Sequence, residues 1–252
     1  MAELKAIIFD VDGTLADTEE MHRQAFNIQF TEAGLDWFWS KERYLELLAV
    51  TGGKERMLHF IDTYKPAFEA PPDLDQYIAQ MHKGKTEKYT RMMASGQVTL
   101  RTGVKRLLEQ AKQQGVRLAI ATTTTLANVE ALLASTLGEG GMAWFDVIGA
   151  GDMVQAKKPA PDIYDYVLRE LGLDASECVA LEDSENGIQA ARAAGLTTVI
   201  STNDFTRTHN FDGAALVVDH LGEPDQPFTV AEGNTYGHTY LNLELLRHLL
   251  AS

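Results

Sequence analysis

The chain has 252 residues, 45% of them hydrophobic, which is enough to bury a sizeable core as one domain or one domain carrying an insertion and is too apolar for a disordered chain. Aspartate and glutamate total 36 against 22 lysines and arginines; the net charge of -14 argues against nucleic acid as the main partner but leaves room for a small anion in a local basic pocket. No segment approaches the roughly 18 consecutive apolar residues of a membrane span, and the single cysteine, Cys178, excludes an intrachain disulfide and suits a reducing compartment.

Met1 to Lys5 shows no signal-peptide pattern and runs directly into an apolar stretch. A cytoplasmic monomer with no membrane partner is expected, or a plastid protein if a transit peptide has been removed. The first predicted strand, Leu4 to Asp10, ends in "DVDGT", which places Asp10 and Asp12 one residue apart beside Gly13 and Thr14. Buried carboxylates are costly unless something pairs with them or uses them. From about Asp17 to about Ser95 the runs are helical, polar and aromatic with no convincing strand, so residues 17–95 are read as a helical insertion over the carboxyl ends of the strands, a lid. Within it, Trp37, Phe38 and Trp39 are expected in its core, and Met92 and Met93 in hinge or core packing.

Beyond the insertion, strands are predicted at Arg117–Thr122, Phe145–Gly149, Cys178–Glu182, Thr197–Ser201 and Ala215–Asp219. Val104, Leu107, Leu108 and Ala111 make a helical stripe closed by Gly115, and Ile163, Val167, Leu168 and Leu171 another closed by Gly172. The fold class is therefore α/β: a Rossmann-like parallel sheet with helices on both faces, formed by residues 1–16 and 96–252, carrying an inserted all-helical cap domain, residues 17–95. The tail after Leu221 is punctuated by Pro, Gly and Asn before a short helix from about Leu241. His59, His82, His209, His220, His238 and His248 show no metal-ligand spacing and are read as structural or exposed.

Four polar signals fall at strand ends or helix starts, hence on one rim of the sheet: Asp10 with Asp12, Thr122 opening "TTTT", Lys158 before Pro159, a favoured first helical residue, and Glu182 with Asp183. These residue types suit phosphoryl transfer. Asp10 can act as covalent nucleophile. Attack by an anion on a phosphate calls for a hard divalent cation, Mg2+, with Asp10 and Asp183 as side-chain ligands and the Asp12 carbonyl as a third. Glu182 either ligates the metal or orients it. Lys158 balances charge and Thr122 donates to a phosphoryl oxygen, while Asp12 serves as general acid and base. Thr122 and Thr124 are read as phosphate contacts, with Thr123 and Thr125 beside them; the competing reading is strand residues followed by a helix cap.

"DVDGT", the strand ending in Thr122, "KKP" and "LEDS" resemble, in order, the four signature motifs of the haloacid dehalogenase-like phosphatases and phosphomutases. The resemblance implies a Rossmann-like core, magnesium, an aspartyl-phosphate intermediate and a helical cap. "ADTEEMH", "DWFWS", "TGGKERM", "ATTTTLANVEAL", "GAGDMVQAKKPAPDIY" and "ALEDSENG" are similar to the CbbY-type subfamily. That implies a phosphatase converting xylulose-1,5-bisphosphate, an inhibitor of Rubisco, to xylulose 5-phosphate. A bisphosphate needs a second anion site, for which the cap offers Gly52, Gly53, Lys54, Arg56 and Lys85. Glu19 and His22, near one another at the start of the insertion, are candidates for contacts to sugar hydroxyls or the leaving oxygen. "LRTG" at Leu100 to Gly103 stands where the subfamily usually reads "LRPG". A sugar phosphomutase of the β-phosphoglucomutase type using the same site, and a non-enzymatic phosphoaccepting signalling module, are the competing functions.

Overall fold

A computed structural model describes residues 3–96 and 98–252; Met1, Ala2 and Gln97, which fall in segments read above as core, lie outside the described residues. The branched apolar runs form β1 (Ala6–Phe9), β2 (Arg117–Thr122), β3 (Val147–Ala150), β4 (Cys178–Glu182), β5 (Thr197–Ser201) and β6 (Leu216–Val218). A further strand, β7 (Val230–Gly233), completes one sheet in the order β3-β2-β1-β4-β5-β6-β7. All neighbours pair in parallel except β6 and β7, so the expected parallel sheet carries one antiparallel edge strand. Every residue of β7 is exposed, so this strand has none of the apolar patterning by which the others are recognised.

Strand β1 shows why both faces are covered. Ile7 and Phe9 enter one core with Leu107 and Leu108 of α5 (Val104–Gln113) and Leu132 of α6 (Leu126–Leu137). Ala6 and Ile8 point the other way, towards Ile163 and Val167 of α7 (Asp162–Leu171) and Ala190 of α8 (Glu185–Ala193). The predicted stripes of α5 and α7 are the buried faces of these helices, and Gly172 closes α7 in the left-handed conformation. The last helix, α9 (Leu243–Leu250), adds Leu245, Leu246 and Leu249 to the core shared with α5. Cys178 is buried in β4, where burial pushes its thiol up to about 12, as suits an inert core residue.

Between β1 and α5 the chain forms α1 (Glu19–Glu32), α2 (Lys41–Leu47), α3 (Gly53–Tyr64) and α4 (Leu74–Met93). They share a separate aromatic core that includes Phe26, Phe30, Trp37, Trp39, Tyr44 and Phe60. Phe38 departs from expectation: it is 70% exposed, because the extended segment before α2 turns alternate side chains inward and outward. Met93 packs in the main core, not in that of the four helices. No helix among the described residues is long and apolar enough to cross a membrane.

Arg101, in the linker that returns from these helices, fastens the loops at one end of the sheet. Its guanidinium donates to the carbonyls of Gly13, Ser201 (3.0 Å), Thr202 (2.5 Å) and Asp219 (2.9 Å), and pairs with Asp17 in the outgoing linker at 3.1 Å. Only a planar five-donor fork reaches so many acceptors. Arg101→Ala leaves those carbonyls without a donor and is expected to lower the unfolding free energy by about 2–4 kcal/mol, with Arg101→Lys recovering less than half. Urea denaturation of the three proteins checks this; a loss under about 0.5 kcal/mol for the alanine variant would rule out the clamp.

Candidate active site

The crossover containing α5 packs on one face of the sheet and α8 on the other, so the strand order reverses between β1 and β4. Ligands of open α/β sheets bind at such a point, beyond the carboxyl ends of the strands. Asp10 follows β1 there, its N–H donating to the Leu181 carbonyl at 2.9 Å; Thr122 ends β2, and Glu182 ends β4 with Asp183 next. Lys158 reaches the same place from a turn. It is not followed by a helix as "KP" suggested: α7 starts only at Asp162, whose carboxylate accepts the Ala156 N–H (3.2 Å) and closes the intervening loop.

Lys158 Nζ donates to Asp10 Oδ1 (2.7 Å), Glu182 Oε1 (2.5 Å) and the Ala121 carbonyl (2.9 Å), which uses all three of its protons. Glu182 is fully buried, and both its oxygens are engaged: Tyr164 Oη donates to Oε1 (2.6 Å) and the Asp183 N–H to Oε2 (3.2 Å). Gly187 on α8 makes room for it, since a Cβ there would stand 1.9 Å from Glu182 Oε2. Asp183 Oδ2 accepts from Asn203 Nδ2 (2.7 Å). Asp10 Oδ2 and Asp183 Oδ1 have no donor among the described residues. Gly13 has φ +84, and a Cβ would lie 2.3 Å from Asp183 Oδ2, so only glycine lets this loop pass so close to the acids.

One oxygen each from Asp10, Glu182 and Asp183 lies within 4.8 Å of the others. Three carboxylates against one ammonium leave this cluster short of two positive charges. Accordingly, burial pushes the Asp10 carboxyl up to about 8 against the pull of Lys158, and burial, with Asp10 and Glu182, drives Asp183 well above the carboxylate range. Lys158 is held above its ordinary value because Asp10 and Glu182 outweigh its own burial. An all-oxygen donor set with unengaged oxygens on Asp10 and Asp183 fits a hard divalent cation.

Two residues on, Asp12 has the opposite surroundings. Its Oδ1 accepts from Thr18 Oγ1 (2.5 Å) and His22 Nε2 (2.9 Å). His22 Nδ1 meets Lys85 Nζ at 2.5 Å, and since an ammonium only donates, the network assigns the His22 proton to Nε2. The imidazole stacks on Tyr89 with centroids 4.1 Å apart. Burial alone would raise Asp12, but His22 and Thr18 outweigh it and hold the carboxyl well below its usual range. Burial brings Lys85 down to about 7, with Asp12 opposing.

A cleft of about 440 Å³ opens above these acids. Its floor is formed by Asp10, Asp12, Thr122, Thr123, Thr124, Thr125, Lys158 and Asp183, and its roof by Glu19, His22, Gly52, Gly53, Arg56 and Lys85. Of the residues singled out from sequence, Glu182 lies beneath the cleft and Lys54 outside it. The Lys54 ammonium instead pairs with Asp152 (2.7 Å), which Lys157 also holds at 2.7 Å. Arg56 is fixed by Tyr44 Oη, which accepts from it at 3.0 Å and itself donates to Glu19 (2.7 Å). Thr122 Oγ1 accepts the Thr124 N–H (3.2 Å), Thr124 Oγ1 accepts from Asn128 (2.8 Å), and Thr125 caps α6. Thr18, Asn128 and Asn203 belong to this neighbourhood although none was singled out from sequence, and so does His82, which was read as structural or exposed. Asn203 carried a usable signal, a polar residue just beyond a strand at the same rim as Asp10 and Asp183. His82 lines the cleft, where burial, then Lys85 and Lys54, bring it down to about 3.

A profile of the haloacid dehalogenase-like hydrolases matches residues 4–195. The protein CbbY of Cereibacter sphaeroides is 50% identical over 220 residues, covering 87% of this chain and 94% of that one. The crystal structure of an aspartate-to-asparagine mutant of CbbY from Rhodobacter sphaeroides, in complex with xylulose-1,5-bisphosphate, superposes with a TM-score of 0.83 at 48% identity, covering 88% of this chain and 98% of that one. A β-phosphoglucomutase from Clostridium difficile shares the fold, with a TM-score of 0.71 at 21% identity over 86% of this chain and 91% of its own.

Because its value falls on folding, Lys85 binds a proton less tightly in the native protein than in the unfolded chain. Its charge therefore burdens the fold below about pH 7, and the burden fades as pH rises from there towards the ordinary lysine value of 10.5. Relative to the parent, Lys85→Met is expected to be more stable at pH 6 than at pH 9, as read by urea denaturation at the two pH values. A stability difference independent of pH would show that Lys85 is not buried as a cation.

Proposed function

The chain belongs to the haloacid dehalogenase-like hydrolases, and from that premise we propose a magnesium-dependent phosphatase of sugar bisphosphates that converts xylulose-1,5-bisphosphate to xylulose 5-phosphate and so removes an inhibitor of Rubisco. The observation that carries this reading is the opposite setting of Asp10 and Asp12, one among three acids that share a single ammonium, the other locked to Thr18 and His22. The similarity to a CbbY crystallised with xylulose-1,5-bisphosphate supports the choice of substrate.

Asp10 is the nucleophile: one of its carboxylate oxygens attacks phosphorus as the ester oxygen leaves, which gives an aspartyl-phosphate that water then hydrolyses. Magnesium, held by Asp10, Asp183 and the backbone carbonyl of Asp12, would neutralise phosphoryl charge and orient the group for in-line attack. Lys158 keeps Asp10 in place and offsets its charge, and Glu182 anchors Lys158 in turn. Thr122 with its three following threonines lines the phosphoryl site. Asp12 donates a proton to the leaving oxygen, then accepts one from the attacking water. A dianionic phosphate beside Asp12 raises its proton affinity, which favours the acid form when substrate is bound.

Residues 17–95 act as a cap over a core of 1–16 and 96–252, closing on the sugar and excluding water. Arg56 with the backbone at Gly52 and Gly53 receives the distal phosphate, and Glu19 the sugar hydroxyls. Lys85 and His22 belong to the Asp12 end of the cleft instead.

The test is phosphate release from xylulose-1,5-bisphosphate with and without Mg2+. Asp10→Asn is expected to lose at least about 10³-fold in kcat while staying folded; near-normal turnover would remove Asp10 as nucleophile, and isomerised monophosphate without phosphate release would establish a mutase. Arg56→Ala is expected to raise KM for the bisphosphate about tenfold, the worth of one charge-assisted hydrogen bond, with little change for a monophosphate. Lys85→Ala should impair both substrates. Equal losses on both substrates for the Arg56 variant would take Arg56 out of the distal site.

A further inference from the structure

The histidines of the carboxy-terminal segment have no metal-ligand spacing along the chain, yet folding gathers two of them around a carboxylate. Glu244 and His248 stand one turn apart on α9, and His238 approaches from the loop that leads into it. One ligand atom from each of His238, Glu244 and His248 lies within 4.8 Å of the other two. The two imidazole centroids are 6.2 Å apart at 42°, and Tyr236 stacks on His248 at 4.9 Å, which limits the rotation of that ring. Glu244 has no cationic partner among the described residues.

We propose that His238, Glu244 and His248 form a surface site for a borderline divalent transition metal such as zinc or nickel, separate from the buried acids beneath the cleft. Two imidazoles and one carboxylate favour such ions over magnesium, which prefers an all-oxygen set. Bonds of about 2 Å to a tetrahedral ion put ligand atoms about 3.3 Å apart, so the three must close by no more than about 1.5 Å. Rotation of the exposed Glu244 and the half-buried His238 supplies this, towards the His248 ring that Tyr236 holds. Water completes the coordination. The ion would brace the loop before α9 against a helix whose leucines form part of the main core.

Asn242 sets how readily the site loads. Its Oδ1 accepts the Leu245 N–H (2.8 Å) as the N-cap of α9, which fixes the amide so that Nδ2 donates to His238 Nδ1 (3.0 Å). His238 therefore accepts at Nδ1 and carries its proton on Nε2. An ion that takes Nδ1 displaces the amide; one that takes Nε2 requires the proton to move to Nδ1, where it would face the amide's own hydrogen. Both routes are opposed by Asn242. An aspartate there would keep the cap, favour the positive end of the helix, and accept from Nδ1–H as metal-bound histidines commonly require.

Calorimetric titration of the untagged full chain with zinc, after dialysis against chelator and saturation with Mg2+, tests the site. One equivalent is expected to bind, weakened about tenfold or more by His238→Ala or His248→Ala, unchanged by His59→Ala, and tightened by Asn242→Asp. In the parent, zinc should also shift the imidazole resonances of His238 and His248. Absence of binding, or binding that survives both histidine substitutions unchanged, overturns the site. Failure of Asn242→Asp to tighten it overturns the competition at Nδ1.

Discussion

The molecule is organised around three buried carboxylates that share one ammonium. Asp10, Glu182 and Asp183 come from the ends of adjacent central strands, and Lys158 from a loop, so their mutual geometry is set by the register of β1 with β4. Charges in a low-dielectric interior are paid for only when paired and hydrogen-bonded, and here the pairing is incomplete. Lys158 satisfies Asp10 and Glu182 on one side each; Tyr164, Asn203 and the Asp183 N–H satisfy other oxygens, and those left over face the cleft. The surrounding structure bears this cost visibly. Gly13 and Gly187 give up side chains where a single Cβ would collide with a carboxylate.

A second chain of contacts joins the acids to the four-helix insertion. Asp12 sits on the outgoing linker, but the groups that fix its carboxylate belong to the insertion or its threshold: Thr18 before α1, His22 on α1 and, through His22, Lys85 on α4. Arg101 holds both linkers, through Asp17 on one side and its own backbone on the other, while its guanidinium grips the Gly13 carbonyl next to Asp12. Asp12 and the two linkers are thus parts of one hydrogen-bonded structure. Any displacement of α1 relative to β1 must change the bonds at Asp12 Oδ1, which under the proposed function would couple the position of the helical insertion to the acid–base step.

Strands buried on both faces declare themselves, and β2, β4 and β5 have the boundaries read from their apolar runs. The acids and the threonine stand out because they lie at the ends of hydrophobic runs, whereas Lys158 sits in a polar loop and stands out through "KKP" and its place among four motifs that, in order, match a known set. β7 was not, because an exposed edge strand needs no apolar pattern. Nor does sequence tell which way neighbouring side chains point. Lys54 and Arg56 look alike on paper, but Asp152 draws one outward while Tyr44 holds the other at the cleft. Asn128, Asn203 and His82 are single polar residues whose meaning comes only from distant partners. His238 and His248 acquire theirs from the helix that sets Glu244 and His248 on one face.

The distribution of charge in this acidic protein confines its effective positive groups to the cleft. With a net charge of -14 the exterior repels anions at long range, and Lys54 and Lys157 are turned to Asp152 at the rim, which offsets one of their two charges. The positive charge that remains effective is inside: Lys158 at the floor, Lys85 behind Asp12 and Arg56 on the roof. Screening is weak in such an enclosure, so each cation is worth more there than on the surface. Under the proposed function a monophosphate would engage only the floor. Under the proposed function a bisphosphate would span floor and roof and gain from Arg56 an interaction that an anion lacking a second phosphate cannot make, so the helices over the phosphoryl-transfer core would narrow its range of substrates.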